Sequence, residues 1–124
     1  MSQRRIKTLG GTAIGGVVRA LRSCRGLSLE ETARLAGVSA ANLSRTERGL
    51  SGGVHPRHLD RVATVLGTSV SGLHVLAEVL TEQPELLDEP KELAKLTDRL
   101  AHVQRAYLRI SAKQRDKVDG LLGI

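Results

Sequence analysis

An all-α fold is what this sequence predicts: five short helices closing one bundle, with a helical extension behind them. Three observations carry that prediction. Apolar residues recur at steps of three and four along most of the chain, the spacing of one helix face. Helix-start signatures punctuate it: Ser28 with Glu31 and Ser111 with Gln114 are capping boxes, and Ser39 and Ser69 stand as N-caps. The chain also has no Phe or Trp, and Tyr107 is its one aromatic. Its core must then be built from Leu, Val, Ile and Ala, which favours closely packed helices.

Taken in order, residues 1–12 read as a flexible basic arm, with Arg4, Arg5 and Lys7 followed by glycines. Thr12 caps a first helix to about Arg25, with Ile14, Val17, Val18 and Leu21 as its buried stripe. Gly15 and Gly16 weaken its first turn, and Gly26 ends it. The second helix starts at Leu29, with Ala33 and Ala36 small enough for another helix to cross closely. Gly37 ends it in the left-handed conformation of a tight turn, and Val38 plugs the corner.

The third helix runs from Ala40 to about Arg48 and stops at Gly49. Leu43 and Thr46 face inward, leaving Ala40, Ala41, Asn42, Ser44, Arg45 and Arg48 outside. A glycine-rich loop follows, and Pro56 opens a fourth helix reaching Leu66, with Leu59, Val62, Ala63 and Leu66 inward. Ser69 caps a fifth, whose Val70 and Leu73 close the core and which continues through Leu80.

A compact domain is therefore drawn over residues 13–80, a linker over 81–90 from its acids and two prolines, and a helical dimerisation extension over 91–124. In the extension Leu93, Leu96, Leu100, Val103, Tyr107 and Ile110 alternate steps of three and four, a heptad-like seam. Val118, Leu121 and Leu122 make one face of a last helix. The seam has two readings, packing on the chain's own first domain or pairing with a second copy. Self-association is preferred, because the stripe lies beyond a domain already complete at five helices. On that reading residues 1 to about 80 fold alone.

The net charge of the whole chain is +6, and its distribution is uneven. Residues 1–76 hold eleven Lys/Arg against four acids, a net of +7; residues 77–124 hold eight against nine, a net of −1. The excess positive charge thus lies entirely in the first half, as a polyanion-binding half should have it. With one aromatic, the stacking platforms of single-strand and RNA binders have almost nothing to work with, which argues for duplex DNA.

Cys24 is the single cysteine and excludes an intramolecular disulfide or a cysteine zinc site. His55, His58, His74 and His102 lack metal-ligand spacing, and no cofactor is implied. No nucleophile–base pair or phosphate loop is visible, so the chain is read as no enzyme. No apolar run is long enough to span a membrane, and the basic start is not followed by a signal-peptide core; the expected location is cytoplasmic.

The stretch RALRSCRGLSLEETARLAGVSAANLSRTERG, followed by HLDRVATVLGTSVSGL, resembles the lambda-repressor/Cro-type helix-turn-helix domain, the XRE family, over residues 14 to 73. The resemblance implies a DNA-binding domain whose third helix is the recognition helix. Direct base contact falls to Ala40, Ala41, Asn42 and Arg45: Arg45 has the fork that reads guanine, and Asn42 has the groups either to pair with adenine or to hold a phosphate. Ser28, Ser39, Ser44 and Arg48 are placed for the sugar-phosphate backbone.

Arg22 and Glu47 resemble a structural ion pair tying helix one to helix three in the family. Two departures stand out. Leu29 occupies the position where the family usually has a phosphate-contacting Gln, and the loop after Gly49 is one residue longer than usual. The function implied is a sequence-specific regulator of transcription, a repressor from a bacterium or phage, acting as a homodimer on an inverted repeat in duplex DNA. The alternative is an antitoxin or scaffold whose C-terminal helices bind a protein partner.

Overall fold

The computed structural model describes residues 13–110 and 112–122. The basic arm and the caps expected at Thr12 and Ser111 lie outside the described residues, as do the side chains of Val118 and Leu122. Among the described residues there are seven α-helices and no strand. They are α1 (Ala13–Cys24), α2 (Leu29–Ala36), α3 (Ala40–Glu47), α4 (Leu59–Val65), α5 (Val70–Glu82), α6 (Pro90–Arg109) and α7 (Ala112–Leu122). None is long and apolar enough to cross a membrane.

Helix α1 lies at the centre, with α3 packed on it from one direction and α5 and α6 from another. Its Val17, Val18 and Leu21 are completely buried, joined by Leu43 of α3, Val62 and Leu66 from α4 and its end, and Leu73, Leu76 and Leu80 of α5. Gly15, which weakens the first turn of α1, is required by what it meets. A Cβ there would lie 2.0 Å from the Thr46 carbonyl oxygen and 3.0 Å from the Glu47 Cα. Glycine costs a helix about 1 kcal/mol relative to alanine, and here it permits α1 to approach the end of α3 backbone to backbone.

Caps set the helix ends. Ser28 Oγ accepts from the Glu31 N–H at 3.0 Å, Ser39 Oγ from the Asn42 N–H at 3.0 Å and Ser69 Oγ from the Gly72 N–H at 3.0 Å. Gly37 turns left-handed at φ 70°, which lets the Val38 N–H reach back to the Ala33 carbonyl at 3.0 Å. The first turn of the expected fourth helix is a 3₁₀ turn, Pro56–His58, whose exposed N–H of Arg57 is accepted by His55 Nδ1 at 3.1 Å.

Two expectations for the C-terminal third are revised. The stretch drawn as a linker folds into a 3₁₀ helix, Pro84–Asp88, and its Leu86 and Leu87 pack against the core while Glu85, Asp88 and Glu89 stay outside. Two adjacent leucines in an acidic stretch recover apolar burial that a solvated linker would forgo. The core is also not complete at five helices. Leu93 of α6 is 2% exposed within it, and Leu96 and Leu100 pack against it.

The proposed dimerisation seam therefore divides. Leu93, Leu96 and Leu100 face the chain's own core, whereas Val103 is 56% exposed. Past Leu100 the inward face continues not through Val103 but through Ala101 and Gln104, both half-buried. Gln104 accepts from Ser69 Oγ and donates to Ser71 Oγ, each at 3.1 Å. Thr97, completely buried on the same face, donates to the Leu93 carbonyl at 2.8 Å. Tyr107 is half-buried and donates to Asp119 of α7 at 2.5 Å, and Ile110 is half-buried at the end of α6.

Helices α5 and α6 thus form an antiparallel hairpin, closed at Pro84–Asp88 and open where Gln104 meets Ser69 and Ser71. Arg25 fastens α6 to the rest, bonding the Leu66 carbonyl at 3.1 Å and Asp98 at 2.8 Å.

Candidate nucleic-acid interface

The candidate interface is the outward front of α3, and its value depends on how rigidly α3 is held. Leu43 is its one fully buried side chain, a small anchor for a helix of two turns. Most of the remaining fixing is polar. Arg22 on α1 grips Glu47 with both ends of its fork, Nε to Oε2 at 2.8 Å and Nη2 to Oε1 at 3.0 Å. Its Nη1 donates to the Leu27 carbonyl at 3.0 Å, so one guanidinium ties the α1–α2 corner to the end of α3. The bond to Glu47 raises the Arg22 pKa further, against the opposing effect of burial. Glu47 itself is 8% exposed, out of reach of an external ligand.

Thr46 fixes the exit of α3. Its Oγ1 accepts from the Val54 N–H at 2.7 Å, drawing the glycine-rich loop across the helix end. Gly53 sits so close that a Cβ there would fall 2.4 Å from that oxygen. The glycine-rich loop is thereby stitched to α3.

Of the residues assigned to base contact, Ala41, Asn42 and Arg45 are exposed, and they lie along one side of α3. Ala40 departs from the expectation: it is half-buried, with its methyl group against the core beneath the helix start. The Arg45 guanidinium leans over the loop, with Nη1 3.4 Å from the Ser51 carbonyl. A bond that long at an exposed site is weak, so the fork is free to swing outward.

Ser28 and Ser39, assigned to the DNA backbone, already accept a cap bond at Oγ. Each hydroxyl retains its own proton as a donor. Ser44 is half-buried, and exposed Arg48 folds back along α3 with Nε 3.3 Å from the Ser44 carbonyl. Arg61 of α4 is an addition that periodicity alone did not single out. Its Nη1 lies 3.7 Å from where a Cβ on Gly37 would stand, bringing a cation beside the turn that leads into α3. Its signal in the sequence is only an outward basic position on α4.

Cys24 is half-buried on α1, with its thiol directed at the Leu21 carbonyl at 3.4 Å. Burial pushes the thiol pKa up, which lowers the reactive thiolate fraction near neutrality.

A capped helix, a left-handed glycine corner and a second short helix presenting Asn and Arg, all on a bundle with a strongly basic first half, define a DNA-binding module. The family model described as a helix-turn-helix domain matches residues 13–76, just over half of the chain, and the chain belongs to that family. No curated protein and no solved structure matches the chain. Family membership accounts for α1 to the middle of α5; the remainder of α5, α6 and α7 lie beyond the matched residues.

Proposed function

We propose that the protein is a sequence-specific, duplex-DNA-binding repressor of transcription that acts as a homodimer on an inverted repeat. The observation that carries the reading is the exposed front of α3, where Asn42 and Arg45 stand clear of the bundle. Arg45 reads guanine through its fork, Asn42 reads adenine, and Ala41 allows close approach to the groove. Ser28, Ser39, Ser44 and Arg48 hold the flanking phosphates and fix register. One such helix spans too few base pairs to single out a site among competing sequences, which is the reason for a second copy.

Salt titration tests the electrostatic part. Affinity for a preferred duplex should fall about 10³-fold or more between 50 and 200 mM salt if six or more phosphates are neutralised. Arg48→Ala should weaken all sequences about equally and flatten that dependence by about one unit of slope. An affinity that hardly changes with salt contradicts the proposal.

A second reading has a specific observation behind it. Val103 and Leu108 on α6 and Leu121 on α7 are 56%, 68% and 87% exposed, more apolar surface than a DNA-binding module needs. An antitoxin or scaffold would cover them with a different protein. Purification of the full chain with a distinct small protein in fixed stoichiometry would favour that reading.

A further inference from the structure

The α5–α6 hairpin carries its charge in two separate blocks, and the pattern has a geometric consequence. Residues 77–98, which include the closed end, hold seven acids and two lysines, a net of −5. Residues 99–110, which lead to the open end, hold Arg99, Arg105 and Arg109 and no acid, a net of +3. Within one chain the acids gather around the closed end and the arginines toward the open end, the two blocks meeting at Asp98 and Arg99.

Each block borders apolar surface. On the outward face of α5, Val75, Glu78, Val79 and Glu82 recur at the spacing of one helix stripe; Val75 is 42% exposed and both glutamates are exposed. At the open end a groove of about 720 Å³ runs beside the junction of α5 and α6, lined by Ser71 and Gln104, which bond to each other, and by Ala101, Val103, Leu108 and Arg105. The groove offers an apolar trough with a cationic rim, and the α5 stripe is an apolar ridge with an anionic rim.

We propose that a second copy of this chain docks here, its hairpin antiparallel to the first, so that the Val75–Glu82 stripe of each copy lies in the open-end groove of the other. The inference rests on the homodimer reading above and names its interface. A two-fold axis across the middle of the hairpin forms the same junction twice, since an isologous interface uses each patch once per copy. Glu78 and Glu82 of one copy face Arg105 and Arg109 of the other. Such opposed charges set the register and reject the parallel arrangement, in which like charges would meet. Helix α1 stands between this hairpin and α3, so two recognition helices remain uncovered.

Charge exchange tests the interface. Sedimentation equilibrium on the full chain should show a dimer for the native sequence. Glu78→Lys with Glu82→Lys should raise the dimer dissociation constant by more than about a hundredfold, and so should Arg105→Glu with Arg109→Glu. Circular dichroism should show both variants folded, because all four side chains are exposed. An equimolar mixture of the two variants should recover the dimer, since each junction in the mixed pair again opposes unlike charges.

Two monomeric variants whose mixture stays monomeric would overturn the antiparallel pairing. A dimeric native chain with two dimeric variants would leave the homodimer reading standing and remove this interface. A native chain that is monomeric at every concentration would remove both. Weakened binding of the Arg105→Glu, Arg109→Glu variant to a single half-site duplex, with its dimer intact, would assign the basic block to DNA and overturn the proposal.

Discussion

Leu93→Ala should destabilise the folded chain by about 2–5 kcal/mol, the usual cost of truncating a buried leucine. Leu93 is 2% exposed in the core, so its removal leaves a void among side chains that α1 and α5 contribute. The loss combines the transfer free energy of the deleted methyl groups with the contacts their neighbours no longer make. For a chain of this size each kcal/mol lowers the melting temperature by several degrees. The loss should persist at protein concentrations too low for association, because the contact is intramolecular. A melting temperature that matches the native chain once dimers dissociate would return Leu93 to an intermolecular seam. The same reasoning reverses the expectation that residues 1 to about 80 fold independently: without α6, surface on α1 and α5 loses its cover.

Glu47→Ala should be nearly as damaging, up to about 3–5 kcal/mol, with water entry reducing the figure. The substitution strips Arg22 of both carboxylate bonds while its guanidinium stays held beneath the α1–α2 corner by Leu27. Arg22→Ala is the mirror case and leaves a carboxylate whose side chain is 7% exposed without its cation. Either change should lower the thermal midpoint and leave the preferred DNA sequence largely unaltered, since neither side chain belongs to the outward front of α3. Unchanged melting in both variants would remove the pair from the account of how α3 is held.

The elements that were legible in the sequence share a property: their signals are local. Ser28, Ser39 and Ser69 each precede a helix and accept from an N–H three residues on, and Gly37 needs only its own backbone freedom. The elements that were not legible depend on partners distant in the chain. The phase of α6 is the main case. A leucine ladder extrapolated past Leu100 selects Val103, yet half-buried Gln104 continues the inward face because Ser69 and Ser71, far back in the chain, hydrogen-bond it there; buried Thr97 is satisfied within its own helix, by the Leu93 carbonyl. Periodicity counts such polar residues as outward, and nothing near Gln104 in the sequence announces its partners.

Leu86 and Leu87 were hidden in the same way by the acids and prolines around them. Gly15 reads as a weak helix former until the Thr46 carbonyl is found 2.0 Å from its missing Cβ. In the candidate interface, the exposure of Asn42, Arg45 and Arg48 was legible from α3 alone. The half-burial of Ala40 and the cation of Arg61 beside Gly37 depend on neighbouring helices.

Whether the front of α3 reads sequence is decided by selecting bound duplexes from a random pool, run in parallel with the native chain and Arg45→Ala. The native chain should enrich a motif with two inverted half-sites spaced about one helical turn apart. Arg45→Ala should lose preference at one base position in each half-site, at a cost of ~1–3 kcal/mol there, and keep the rest of the motif. Failure of the native chain to enrich any sequence, or an Arg45→Ala motif identical to the native one with affinity reduced equally on all duplexes, would contradict that role for α3.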